Sequence, residues 1–270
     1  MNRVTKSSKV LMQDTTNPIR QLNADAFDFG WQGGLDLAIK RIRWDEKEFE
    51  VRFFGLEEMS ASTAVTTNGL VEVLSTPPVF APDVNRIDAR YTSDLYGIEA
   101  NWHFVTYLPF KYLAGFRYLG FDDDLSATLT TNSNPIHYRT VTRNDLYGAQ
   151  VGIRSVPDCA ILDCHWLTWS AKAGIYGNDA SQKSIFTGTL GQRADDSADS
   201  TAFVGEVELG LRYPLTQCFT LVGGYRLLIL ERVAVGSDQL EKLNFFDGSG
   251  SDDRGNAIFH GASVGITFQH

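Results

Sequence analysis

FVGEVELGLRYPLTQCFTLVGGYRLLIL, residues 203–230, decides the fold class of this chain. Phe203, Gly205, Val207, Leu209, Leu211 and Tyr213 share one face of a period-two strand, and Glu206, Glu208, Gly210 and Arg212 share the other. After a turn through Pro214, Phe219, Leu221, Gly223, Tyr225, Leu227 and Ile229 repeat the apolar face opposite Thr220, Val222, Gly224 and Arg226. The stretch is a hairpin with one oily face and one charged face. In a soluble barrel the oily face points inward; in a transmembrane barrel it meets lipid and the charges point inward. The order of loops along the chain has to choose between them.

Working outward, the same alternation recurs. Before the hairpin come strands carrying Trp31 to Ile39, Phe49 to Phe53, Tyr96 to Phe104, Tyr112 to Tyr118, Tyr147 to Ile153 and Leu167 to Ile175 on their apolar faces; after it comes one carrying Ala262 to Phe268. Polar stretches at 57–88, 122–144, 178–202 and 231–257 read as long loops, although GLVEVL at 69–74 alternates like part of an extended hairpin. Short and long connections therefore alternate strictly, as in an outer-membrane barrel with short periplasmic turns and long extracellular loops. SDLYGIEANW at 93–102 and NDLYGAQVGI at 144–153 form a weak internal echo.

The pattern predicts an all-β fold: an antiparallel up-and-down transmembrane β-barrel, with nine visible strands of an expected ten. Residues 1–26 form a polar N-terminal segment, expected as an extracellular loop, and residues 27–268 form the barrel. The N-terminus has no apolar stretch of the kind a secretory signal needs. With an odd strand count, this predicts that Met1 is an internal start, with a first strand and a signal lying upstream. A net charge of −9 gives no footprint for nucleic acid, and no apolar run is long enough for a membrane helix.

DFGWQGG (28–34), FEVRFFGL (49–56), LAGFRYLGF (113–121), NDLYGAQVG (144–152), KAGIYGN (172–178) and GYRLLILERVAV (224–235) together resemble the planctomycete outer-membrane proteins of the putative beta-barrel porin-seven type. The resemblance implies location in the bacterial cell outer membrane and a pore role. It carries over no catalytic residues, and the chain ends Phe268-Gln269-His270 where many such barrels end on an aromatic residue.

The expected lumen-lining residues are Asp36, Lys40, Glu50, Arg52, Glu99, Asn101, His103, Arg117, Gln150, Arg154, Lys172, Glu206, Glu208, Arg212 and Arg226. They either line a wet lumen and filter ions by charge, or pair with one another and fill it. At about ten strands, close to the eight that side chains already fill, the filled reading is the stronger and a wide channel is not expected. Glu99 and His103 share a face, so an outer-membrane lipid or peptide hydrolase is a second class of reading, and a soluble ligand-binding barrel a third. Aromatics sort toward strand ends: Tyr107, Phe110, Tyr112, Trp166, Trp169, Tyr213 and Phe219 at the short-turn side, Phe29, Trp31, Tyr96, Tyr118 and Tyr147 at the other.

Three cysteines are too few for a disulfide framework and lack zinc spacing. In an oxidising compartment Cys159 and Cys164 would bridge within one link and Cys218 stay unpaired; unbridged thiols are the plainer alternative. DGSGSDD at 247–253 offers oxygen ligands without the full calcium-loop pattern, and reads as a solvated acidic loop. No nucleotide loop or dinucleotide fingerprint is present. The sequence thus predicts a non-enzymatic protein without cofactor or metal, a narrow porin-like channel or structural envelope component. Its partners would be outer-membrane lipid, the barrel-assembly machinery and small solutes or ions, with the number of subunits left open.

Overall fold

The computed structural model describes residues 1–4, 8–42, 48–104, 110–155, 166–187 and 191–269. Among the described residues it is all-β, with twelve strands and two single-turn 3₁₀ segments. Three strands are short: β1 (Asn2–Val4), β2 (Val10–Asp14) and β3 (Gln21–Asn23). The others are β4 (Gly34–Ile42), β5 (Glu48–Val73), β6 (Val79–Phe104), β7 (Phe110–Thr131), β8 (Ile136–Ser155), β9 (Leu167–Phe186), β10 (Gln192–Pro214), β11 (Phe219–Val233) and β12 (Gly255–Phe268). From β4 to β12 each strand pairs antiparallel with the next, an up-and-down meander. The lower half of β5 pairs with β4 and its upper end with β2, while β1 lies against β12.

Three expectations are corrected. The strand count is twelve, because residues 1–26 contribute three strands too short to show a period. The sheet is curled but not closed into a barrel: β4 and β12 do not pair with each other. Finally, the polar stretches 57–88, 122–144 and 178–202 are chiefly strand in their described residues, with hairpin turns at 74–78 and 132–135. They mimic loops because their outward side chains are polar and many inward ones are small, as at Ala61, Ala81, Ala127, Ala180 and Ala194, all buried. Only 231–257 is largely irregular.

The long strands reverse polarity part-way along, and β7 shows it alone. Outward positions run Tyr112, Phe116, Tyr118 and then Asp122, Asp124, Ser126, Thr128; inward ones run Arg117 and then Leu119, Phe121, Leu125, Leu129. In β7 the lower half is apolar outside and places Arg117 beside Leu113 inside; the upper half is polar outside and apolar inside except at Asp123, while the upper inward positions of β8 and β9, among them Thr142, Asn144, Asn178 and Gln182, are polar. The echoed DLYG segments sit at this level: Leu95 and Leu146 are buried, while Tyr96 and Tyr147 are exposed.

The upper interior is a packed hydrophobic core. Leu11, Met12, Leu22, Phe27 and Phe29 from the N-terminal segment join Val235, Leu240, Leu243 and Phe245 from the β11–β12 connection inside it. That connection is tied down by Asn144, which donates to Ala234 O at 2.8 Å and accepts from Ala234 N at 2.6 Å. At the top rim, Asp14 accepts from Thr16 Oγ1 (2.5 Å) and from the backbone N–H groups of Thr16 (2.8 Å) and Asn68 (3.0 Å). The Thr16 hydroxyl, followed by these N–H groups, pulls its pKa down from 3.8 to about 2. A depressed carboxylate stabilises the fold above its unfolded pKa and loses that contribution as pH falls through the folded value. Asp14→Asn is therefore expected to flatten the fall in melting temperature between pH 3.8 and about 2, measured against the parent chain in one buffer series.

Candidate functional site

The lower interior brings together most of the charged residues that alternation places there. At its centre Glu206 accepts ion pairs from Arg117 Nη2 (2.8 Å) and Lys172 Nζ (2.8 Å). Lys172 also holds both oxygens of Glu99, at 2.8 and 2.9 Å, and Gln150 donates to Glu99 (2.8 Å) and Asn101 (2.7 Å). Arg117, Glu99, Glu206 and Asn101 are almost wholly removed from solvent. Glycines make room for these long side chains: a Cβ on Gly115 would lie 2.2 Å from Asn101 Oδ1, and one on Gly152 2.9 Å from Lys172 Cγ.

A second cluster spans the sheet. Arg52 on β5 pairs with Asp36 on β4 (2.7 Å) and Glu208 on β10 (3.0 Å), and Arg226 on β11 pairs with Asp36 (2.5 Å). These contacts join β4 and β5 to β10 and β11 across the interior. Phe54 roofs both clusters, with the Arg117 and Arg226 guanidinium carbons 5.2 and 5.3 Å from its ring centroid. Toward the lower mouth Glu50 pairs with Lys40 (2.6 Å) and Arg154 (3.1 Å). His103 shares the buried inward face of β6 with Glu99, as the alternation has it, and lies 4.0 Å from Glu50. Arg212 stands outside these clusters; its backbone N–H donates to Trp166 O at 2.7 Å.

Above Phe54 lies a cluster the sequence did not reveal. Arg3 donates to both oxygens of Asp123 (2.5 and 3.0 Å), to Tyr91 Oη (3.0 Å) and to Ser93 Oγ. Its guanidinium carbon lies 4.7 to 5.3 Å from the ring centroids of Tyr91, Phe29 and Phe121. Burial alone would lower the Arg3 pKa, but Asp123 and Tyr91 outweigh it and the net shift is upward. Burial pushes the Tyr91 phenol up, so it remains a donor to Asp123 at 2.6 Å. Asp123 could have been found by carrying the odd-numbered inward parity of Arg117, Leu119 and Phe121 onward; Arg3, on a three-residue strand, gave no such signal.

Among the aromatics sorted to strand ends, Tyr112, Trp166, Tyr213, Phe219, Trp31, Tyr96 and Tyr147 are exposed, whereas Phe29 is buried against Arg3 and Tyr91. That placement of Phe29 is corrected: it serves the upper core. Tyr107, Cys159 and Cys164 lie outside the described residues, and Cys218 is a free, exposed thiol. In the acidic loop, Asp247 accepts from Ser249 N (3.0 Å) and Oγ (2.6 Å), turning its carboxylate onto its own chain.

Residues 79–245, more than half the chain, match the family model described as putative beta barrel porin-7. The chain belongs to this family. The match covers β6 to β11 whole, and with them the central cluster of Glu99, Arg117, Lys172 and Glu206. No curated protein and no solved structure matches the chain. A porin-family membership suggests a non-enzymatic protein of the outer membrane.

Proposed function

We propose that this family member spans the bacterial outer membrane with the lower half of its strands and serves as a structural envelope component with a filled interior. The observation carrying this reading is the reversal of polarity along the strands. The lower exterior exposes Ile98, Phe116, Val151, Ile175, Val207, Leu209 and Ile266, a band of large apolar side chains that water would not tolerate as a continuous surface. A membrane strand needs about 9–11 residues. β6 has 26 residues, so a comparable length stands clear of the bilayer as a rigid polar wall, suited to contacts at the cell surface.

The interior supports closure over conduction. Below Phe54, ion pairs occupy the space a solute would cross; above it lie the Arg3–Asp123 pair and the apolar packing around it. The narrow porin-like channel is the second reading, favoured by the family match. A hydrolase finds less support, since Glu99 is held by Lys172 and Gln150 while His103 lies near Glu50. A soluble ligand-binding barrel would put its apolar face inward along the whole strand, and the lower half does the opposite.

Arginine scanning in lipid vesicles tests the membrane reading. Ile175→Arg or Val207→Arg is expected to cost about 2–4 kcal/mol, as for arginine near a bilayer midplane. Thr128→Arg, on the outward face of the upper half and opposite Asp88, is expected to stay within about 0.5 kcal/mol. Equal effects at the two levels would sink the membrane assignment. In planar bilayers the folded protein is expected to be silent, and discrete salt-dependent steps would replace the structural reading with the channel.

A further inference from the structure

The curled sheet has one seam. On one side β4 pairs with β5 and with no other strand among the described residues. On the other, β12 pairs with β1 only at Ile258, Phe259 and His260, which leaves its stretch from Gly261 to Phe268 paired with β11 alone. Leu37 and Ile39 on one edge, and Val264 and Ile266 on the other, are more than half exposed. Two bare backbone edges face each other, each with hydrogen-bonding groups that sheets elsewhere pair or cover.

At its upper end the seam is one strand wide, because β1 fills it there. Asn2 lies opposite His260, and a Cβ on Gly261 would fall 2.6 Å from Met1 Cα. On its other edge Met1 exchanges both backbone hydrogen bonds with Gln32, at 2.5 and 2.9 Å, as residues of an antiparallel pair do. β1 is thus antiparallel to both neighbours, and its register is fixed on both sides.

We propose that the seam is the docking site for one further β-strand, joined directly ahead of Met1 and continuing β1 along the ten positions from Gly33 to Ile42. The two registers agree on its faces. The residue next to Met1 lies between Gly33 and Ala262 on the outward side; the next lies between Gly34 and Ser263 on the inward side. Odd positions counted back from Met1 therefore carry apolar side chains level with Leu35 and Val264, and even positions carry small polar ones. The inward β12 positions, Gly261, Ser263 and Gly265, are small and leave space for them. This inference rests on backbone register and stands whether or not the protein enters a membrane.

The test appends a ten-residue extension to the full chain, with Val, Leu or Tyr at odd positions and Ser or Thr at even ones, and compares it with the same residues shifted by one. Amide hydrogen exchange is followed in Leu35–Ile42 and Ala262–Phe268, with β7 and β8 as the internal check of folding. The in-phase extension is expected to slow exchange in both edges by about tenfold or more relative to the unextended chain, and the shifted one is not. Equal exchange in the in-phase and unextended chains, with β7 and β8 protected in both, overturns the proposal. So does equal slowing by both extensions. Edges already protected in the unextended chain, together with dimeric mass, would assign the seam to a second copy instead.

Discussion

Replacing Asp123 by alanine is expected to cost about 3–5 kcal/mol of folding stability, the range for removing one partner of a buried ion pair. Arg3 would keep its charge in the upper core, among Phe29, Tyr91 and Phe121, without the carboxylate that neutralises it. Three more donors would lose their acceptor, the Tyr91 and Ser93 hydroxyls, each at 2.6 Å, and Gly236 N at 3.0 Å, and with the last the β11–β12 connection loses an anchor. Asp124→Ala is the control. Its carboxylate faces outward and pairs with an Arg139 side chain that is 61% exposed, so the loss there is expected to be about 1 kcal/mol or less. Denaturant unfolding of the three proteins measures the difference. Arg3→Met combined with Asp123→Ala should recover part of the loss, because an apolar pair can replace a buried ionic one. If Asp123→Ala costs no more than Asp124→Ala, Arg3 has left the core and β1 does not hold the seam.

The lower half of the strands was legible from period-two alternation because each face there is chemically uniform. Phe116 and Tyr118 against Arg117, or Val207 against Glu206 and Glu208, leave only the choice of which face is inside. The upper half was not legible by the same rule. In QRADDSADS and NDASQKS the outward residues are Arg, Asp, Ser and Lys and the inward ones Gln, Ala, Asp, Ser and Asn, so both faces look polar and the segments pass for loops. Their strand character comes from partners distant in sequence, such as Asp195 opposite Lys183 and Ala194 opposite Ser184. The interior site divides in the same way. Parity named Glu99, Lys172 and Glu206 and put His103 on the same inward face, but it could not say which strands the curl brings face to face, and so left open that His103 lies near Glu50.

Glu206→Gln is expected to cost about 3–5 kcal/mol as well, since it removes charge while keeping volume. Glu206 neutralises Arg117 and Lys172, each at 2.8 Å, and all three are buried. With glutamine there, Glu99 alone must serve both cations, and it approaches Arg117 only at 3.9 Å. Glu208→Gln provides the comparison two residues along the same face. Its side chain is 25% exposed and its partner Arg52 retains Asp36 at 2.7 Å, so the expected loss is about 1 kcal/mol or less. Unfolding by urea in lipid vesicles separates the two. The same pair of variants also separates filling from selectivity. If Glu206 binds the sheet together, its loss lowers stability and leaves bilayers silent, because glutamine occupies the same space. If Glu206 instead lines a conducting path, Glu206→Gln leaves stability near that of Glu208→Gln and shifts ion selectivity, and the interior would then be a filter.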